Sequence, residues 1–246
     1  MKFSWIGGPS FVLELGPYRI IGDPVAHDRF DLDGTGVTRL GPLPALDIPR
    51  NGLVLVTSLR ADHCDAGAIA ACAAATVLVP RGGENLVPGA RPVAAGATEQ
   101  FEMDGVVLRV AAVPAGTGDA DVGYFITLGT GERPFTAYVT GDTVFSEATR
   151  AIQRTHGHAN LLVLNIGAER APDGSLRSAD AKEGMQIIYR MQPNAVAAIH
   201  HATFSHYTEP IAPLLEKIGL TIYEKRLRAL REGESFEKAT GPEPTN

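Results

Sequence analysis

Three short segments of this 246-residue chain hold aspartate and histidine where they could grip a cation. They are Ser58-Leu59-Arg60-Ala61-Asp62-His63-Cys64-Asp65, Thr140-Gly141-Asp142-Thr143 and His200-His201-Ala202-Thr203-Phe204-Ser205-His206. Each follows an apolar run that reads as a strand. In α/β sheets, binding sites open beyond the carboxyl ends of strands, so the three segments can converge. Carboxylate oxygen and imidazole nitrogen together suit zinc, iron, manganese or nickel. Asp62 and His63 are neighbours, which point to opposite faces in a strand, so both reach one ion only from a turn. Gly141 lets the backbone bend sharply ahead of Asp142. His200 and His201 both remain open as ligands at this point.

Several of these residues have plainer roles. Asp65 stands before an alanine run and suits a helix N-cap, and Asp142 could cap the helix that follows it. Cys64 reads as a small buried residue rather than a reactive thiol. His156-Gly157-His158 ends a helix, where imidazoles complement the carboxyl terminus. Ser58 sits in no Gly-x-Ser-x-Gly elbow, so it is not read as a nucleophile. His27 lies in a long irregular stretch and is a candidate pocket-lining residue. Gly116-Thr117-Gly118 matches no nucleotide-binding fingerprint.

The elements that must position these residues divide into two halves. Lys2–Ile6, Phe11–Leu15 and Tyr18–Ile21 read as a strand meander, and residues 22–51 as irregular. Leu53–Thr57 is a buried-type strand, Ala66–Ala75 a helix and Thr76–Val79 a strand. Phe101–Val113 folds as a hairpin at Asp104-Gly105. Gly123–Leu128 pairs with Thr136–Val139. Helices at 144–156, 179–191 and 209–218 then alternate with strands Leu161–Ile166, Ala195–Ile199 and Leu220–Tyr223. Such alternation predicts a layered α/β fold with helices covering sheet faces. One domain is expected over 1–237, with a polar tail at 238–246.

Composition narrows the function. Apolar residues are 44% of the chain and the formal charge is −6. That balance disfavours a nucleic-acid partner, whose binding surface should be basic. No apolar run reaches the ~18 residues of a membrane span, and the N-terminus lacks the apolar stretch of a signal peptide. Cys64 and Cys72, about 12 Å apart if fully helical, are too distant to bridge. A reducing cytoplasm is therefore expected.

The motifs together resemble the metallo-β-lactamase superfamily. Thr57 to His63 stands where that family has Thr-His-x-His-x-Asp-His. Gly8-Pro9-Ser10-Phe11-Val12-Leu13-Glu14 and Ile20-Ile21-Gly22-Asp23-Pro24 resemble its start. Val139-Thr140-Gly141-Asp142-Thr143 resembles its Gly-Asp motif, and Ile199-His200-His201-Ala202-Thr203-Phe204 its last histidine motif. The nearest branch in style is ascorbate-phosphate lactonase-like. The resemblance implies a four-layer αββα sandwich with a metal site at one sheet edge. It implies Asp62, His63, Asp142 and His200 as ligands, with His201 as fallback and Asp23 orienting a ligand from behind. The family's other site is stripped here: Ser58 and Arg60 replace two histidines, and Gly116 and Thr117 stand where the third belongs.

One divalent ion, zinc first and manganese or iron next, is therefore expected. Asp62 and Arg60 are the catalytic candidates, with Arg60 supplying a guanidinium near Asp142 where the second cation is missing. Ser58, His27, His201 and Thr117 are read as lining the substrate site. The implied reaction is hydrolysis of a small ester, lactone, amide or phosphoester, anionic substrates included. A lyase, isomerase or oxygen-using enzyme on the same site, and a metal-free binding protein, are the alternatives. A homo-oligomer is left open.

Overall fold

A computed structural model describes residues 1–44, 52–116, 120–131 and 133–239. Among these described residues sixteen strands follow in chain order: β1 (Lys2–Gly7), β2 (Ser10–Leu15), β3 (Tyr18–Gly22), β4 (Arg29–Leu32), β5 (Thr35–Thr38), β6 (Leu53–Leu55), β7 (Thr76–Pro80), β8 (Arg91–Val93), β9 (Thr98–Met103), β10 (Val106–Pro114), β11 (Val122–Leu128), β12 (Phe135–Val139), β13 (Leu161–Asn165), β14 (Ala195–Ile199), β15 (Leu227–Arg228) and β16 (Ser235–Glu237). The helices are α1 (Ala66–Ala71), α2 (Glu147–His156), α3 (Ala181–Met191) and α4 (Ala212–Ile218).

Two seven-stranded sheets result, ordered β16-β1-β2-β3-β6-β7-β8 and β15-β14-β13-β12-β11-β10-β9. Each begins as antiparallel hairpins and ends in parallel strands. Period-two burial explains the packing. Leu108, Val110 and Ala112 of β10 face Phe3, Phe11 and Leu13 of the other sheet in one shared core. The alternate residues Ala111 and Val113 face outward, beneath a layer that includes Ile152 of α2, Ile187 and Ile188 of α3 and Leu214 of α4. Ile69 and Cys72 at α1 cover Val54, Val56 and Val79 on the opposite outer face. The expected four-layer αββα sandwich is the observed architecture.

Three local expectations need correction. The stretch 22–51 is not wholly irregular, because β4 and β5 form a hairpin in which Arg29 pairs with Thr38 and Leu32 with Thr35. Its turn is Asp33-Gly34, both with positive φ, the same hairpin signal used for Asp104-Gly105. The strand placed at Leu220–Tyr223 is absent; β15 lies at Leu227–Arg228, and Leu220 and Ile222 are exposed. An apolar run alone does not specify a strand when no sheet edge is there to receive it. The helices start later than expected, at caps Ser146 for α2 and Asp180 for α3 and at Ala212 for α4. Asp65 does cap α1, accepting from the Ala68 amide. Lys238, placed in the tail, exchanges main-chain hydrogen bonds with Met1.

The two sheets are tied together beside the candidate ligands. The Tyr124 hydroxyl on β11 donates to the Val56 carbonyl at 2.8 Å, and the Val122 amide donates to the Thr57 carbonyl at 2.9 Å. Both Tyr124 and Val56 are fully buried, so losing the donor leaves a carbonyl without a partner. Tyr124→Phe should lower unfolding stability by about 1–3 kcal/mol, read by urea denaturation, with little change in the fold.

Candidate metal centre

The carboxyl ends of β6, β12, β13 and β14 deliver the candidate residues. Asp62 and His63 lie in a turn after β6, closed by the His63 and Cys64 amides donating to the Arg60 carbonyl at 2.9 and 2.8 Å. That turn directs both side chains inward, as one shared ion would require. Asp142 follows Gly141, whose φ of 59° and close approach to Thr57 favour glycine. His200 ends β14 with φ of 68°, an uncommon conformation for a residue with a Cβ. It is held there by its amide donating to the Gly8 carbonyl at 3.0 Å and by Gly167, where an added Cβ would come within 2.2 Å of the His200 carbonyl oxygen.

Asp62, His63, Asp142 and His200 are all buried, and one ligand atom from each lies within 4.8 Å of the others. His63 Nε2 is 3.1 Å from Asp142 Oδ2 and 3.6 Å from Asp62 Oδ2. His200 Nε2 is 3.7 Å from Asp142 Oδ1 and 3.8 Å from Asp62 Oδ2. A tetrahedral ion with bonds of about 2.1 Å needs ligand edges of about 3.4 Å, so the set fits. His200 Nε2 is buried with no hydrogen-bond partner, an orphan aimed at the cluster. The ring is oriented from behind, with Nδ1 3.2 Å from the Ile166 carbonyl.

Asp23 does the same for His63. Its Oδ2 is 2.9 Å from His63 Nδ1, while the Thr57 amide and hydroxyl each donate to the carboxylate at 2.6 Å. An ionised carboxylate only accepts, so Nδ1 carries a proton and Nε2 faces the cluster. Burial opposes a charge on His63, yet Asp142, Asp62 and Asp23 raise its pKa well above the usual range. Burial likewise opposes the Asp62 carboxylate, which His63, His200, His206 and Arg60 hold well below its usual range.

Arg60 joins three carboxylates rather than the single one expected. Its Nη1 is 3.6 Å from Asp142 Oδ2, its Nε 3.6 Å from Asp62 Oδ1, and its Nη2 donates to Glu169 Oε1. Glu169 was missed by sequence reasoning, although it follows β13 just as the other candidates follow their strands. His206, in the loop after β14, carries no local signal of a ligand; its Nε2 is 3.2 Å from Asp62 Oδ2. Burial, then Asp142 and Asp62, push Glu169 up to about 7 against the lowering by Arg60.

Other candidates are placed elsewhere. His201 packs at a tilt against Trp5 with ring centroids 4.7 Å apart and turns away into a separate cavity with Leu40 and Ile211. Burial and neighbouring His200 lower its pKa to about 4. It is not brought to the cluster, because successive residues leaving a strand diverge. His27 pairs with Asp65 at 3.3 Å, over the start of α1, rather than lining the centre. Ser58 is buried and accepts from the Arg60 amide at 3.3 Å. Thr117 lies outside the described residues. Burial and Asp23 push the Cys64 thiol up to about 11, consistent with an inert residue. His156 stacks on Phe125 at the end of α2.

A cavity of about 210 Å³ opens towards the centre between the β4–β5 hairpin and the loop after β13. Its walls include Leu32, Val37, Arg177, Glu169 and His206. Phe30 packs edge-on against Phe204 at 5.1 Å and fixes the hairpin over this mouth.

Removing the charge behind His63 tests the orienting role of Asp23. Asp23→Asn should weaken divalent-ion affinity about 10- to 100-fold, measured by competition with a chelating dye. Ion uptake must also displace the proton that the surrounding carboxylates favour on His63. Affinity should therefore rise with pH, and calorimetry in buffers of different ionisation enthalpy should register proton release.

No family model matches the chain. It is 28% identical over 242 residues to an uncharacterized protein of Mycobacterium tuberculosis and to one of Mycobacterium bovis. The alignment covers 89% of this chain, which spans 63% of the length of those curated relatives. Among solved structures, an isothiocyanate hydrolase from Delia radicum gut bacteria superposes with a TM-score of 0.76 at 15% identity, covering 97% of this chain and 99% of that one. Igni18, a metallo hydrolase of Ignicoccus hospitalis, gives 0.64 at 16% identity over 97% and 99%. CmlA, a diiron β-hydroxylase from Streptomyces venezuelae, gives 0.67 at 13% identity over 96% of this chain and 54% of its own. Layers, sheet order and these neighbours agree: the chain has the metallo-β-lactamase fold, with a cluster of histidine and aspartate suited to a metal at its sheet edge.

Proposed function

We propose that this chain is a metal-dependent hydrolase of a small molecule, with one tightly held divalent ion on Asp62, His63, Asp142 and His200. Zinc is the first candidate, and manganese or iron the next. The observation that carries the reading is the buried, unpartnered Nε2 of His200 facing two carboxylates and a second imidazole. A divalent ion there supplies Lewis acidity and acidifies water, which is what hydrolysis near neutral pH requires.

The chain's own residues supply the rest. Asp62, Asp142 and Glu169 bring three carboxylates, and Arg60 balances one of them. With Glu169 paired to Arg60 and Arg177, the Asp62 and Asp142 carboxylates leave two formal negative charges, which one divalent ion neutralises. A second tight ion at the position stripped of histidines is not needed, because Arg60 already places a fixed cation beside Asp142. Its guanidinium, desolvated on one side, is a donor for developing negative charge on a substrate. The cavity beside Glu169 and His206 is smaller than the usual 300–1,000 Å³ or so of ligand pockets, so the substrate is small. Arg177 on its wall, already shared between Asp33 and Glu169, orients an anionic group of the ester, lactone, amide or phosphoester substrate. Cys64 and Cys72, both free thiols, suit a cytoplasmic site of action.

Metal analysis is the direct test. The purified protein should retain about one equivalent of divalent ion, and chelation should lower Tm, with recovery on reloading. Asp142→Asn should lose both the ion and that Tm shift. Against a panel of lactones, aryl esters and phosphodiesters, Arg60→Met should cut kcat/KM about 10²-fold or more while leaving the tight ion in place. Protein that holds no ion and shows no shift in Tm with added zinc, manganese or iron is not the hydrolase described.

A further inference from the structure

A second set of potential ligand atoms lies beside the first: one each from Asp62, Glu169 and His206, all within 4.8 Å of one another. His206 Nε2 is 3.2 Å from Asp62 Oδ2 and 3.7 Å from Glu169 Oε2. These are the spacings of adjacent ligands on an ion with bonds of about 2.1 Å. Three separate loops deliver them, after β6, β13 and β14, so nothing local in sequence forces the convergence.

The two oxygens of Glu169 are used differently. Oε1 takes both cations, accepting from Arg60 and lying 3.6 Å from Arg177 Nη1. Oε2 is buried with no hydrogen-bond partner, on a side chain only 2% exposed. It is this free oxygen that faces His206. An unpaired buried carboxylate oxygen is costly, and here it is directed at an imidazole nitrogen and a second carboxylate rather than at an amide or hydroxyl. A cation reaching Oε2 would not have to displace either guanidinium.

Access differs as well. Glu169 is as buried as Asp62, His63, Asp142 and His200, but His206 is 10% exposed, and the two form part of the wall of the 210 Å³ cavity. We propose that Asp62, Glu169 and His206 form a second, weaker and exchangeable seat for a divalent cation of the manganese, iron or zinc class at the inner end of the substrate cavity. The inference rests on the preceding reading only through Asp62, which both seats share. The seat is weaker for two reasons. An ion in the first seat already balances the local carboxylates, and the Arg60 guanidinium repels a newcomer. The seat is built from residues other than Ser58, Arg60 and Gly116, which mark the position stripped of histidines.

The test titrates Mn²⁺ into holoprotein that already carries its tight ion, with calorimetry and the electron paramagnetic resonance signal of free Mn²⁺ as readouts. One further equivalent should bind, at least tenfold more weakly than the first. His206→Ala and Glu169→Gln should each abolish that uptake while the tight ion stays, and Arg60→Met should strengthen it several-fold. Circular dichroism melts of each variant establish that it is folded, and Glu169→Gln changes a single atom type. Holoprotein and its Arg60→Met variant both taking up no further Mn²⁺ would overturn the proposal. So would further uptake that survives both His206→Ala and Glu169→Gln. A tight ion kept in Asp142→Asn but lost in His206→Ala would overturn the four-residue reading and this one together, because the seat would then be the tight one, whereas failure of this proposal alone leaves the tight ion in place with no further uptake.

Discussion

Burying carboxylates is the constraint that organises this structure. Asp23, Asp62, Asp142 and Glu169 lie at one end of the sandwich, all nearly inaccessible to water. Each would cost several kcal/mol if ionised and left alone in an apolar interior. The chain answers with polarity brought from every neighbouring strand end. Asp23 receives the Thr57 amide and hydroxyl together with the His63 ring. Asp142 receives His63, the Asn165 amide at 3.4 Å and the guanidinium of Arg60. Glu169 takes Arg60 and Arg177 on one oxygen. What stays unsatisfied is therefore informative. His200 Nε2 and Glu169 Oε2 are left without hydrogen-bond partners, and both lie beside the Asp62 carboxylate.

The fold exists to hold those strand ends in register. The strands beneath the site are buried on both faces, and their inward and outward residues serve different layers. A rigid double sheet of this kind fixes positions at its rim better than any loop could alone, so the ligand-bearing turns inherit precision from the core. The hairpin of β4 and β5 is the exception. It belongs to neither large sheet and packs through Leu32 and Val37 against Phe204.

Much of this was legible in the residues. The three Asp- and His-bearing segments, the capping role of Asp65 and the layered architecture followed from strand ends, an alanine run and alternation of elements. The four ligand candidates gained their register from the family resemblance, and the structure brings all four together. What stayed hidden was long-range. His206 and Glu169 carry no local signature, and their meeting at Asp62 depends on three loops whose paths only the packed sheets determine. His201 and His27 were misplaced for the same reason. Adjacency in sequence to a candidate ligand says nothing about direction once a strand has ended, and a histidine in a long loop can equally serve the cap of a helix. The hairpin at Asp33-Gly34 was readable by the rule applied to Asp104-Gly105, but its short flanking runs hid it within a polar, glycine-rich stretch.

Gly167 has a reach beyond its size. Its carbonyl accepts from the amides of Thr208 and Glu209, at 2.8 and 3.0 Å, while its missing side chain makes room for the backbone of His200. Two residues later the chain arrives at Glu169. One point of contact thus sets the spacing between the loop after β14, which bears both His200 and His206, and the loop bearing Glu169. Lengthening or shortening the chain between 167 and 169 would move the glutamate while leaving the histidines where they are. The distance from this glycine to that acid is consequently a fixed dimension of the site.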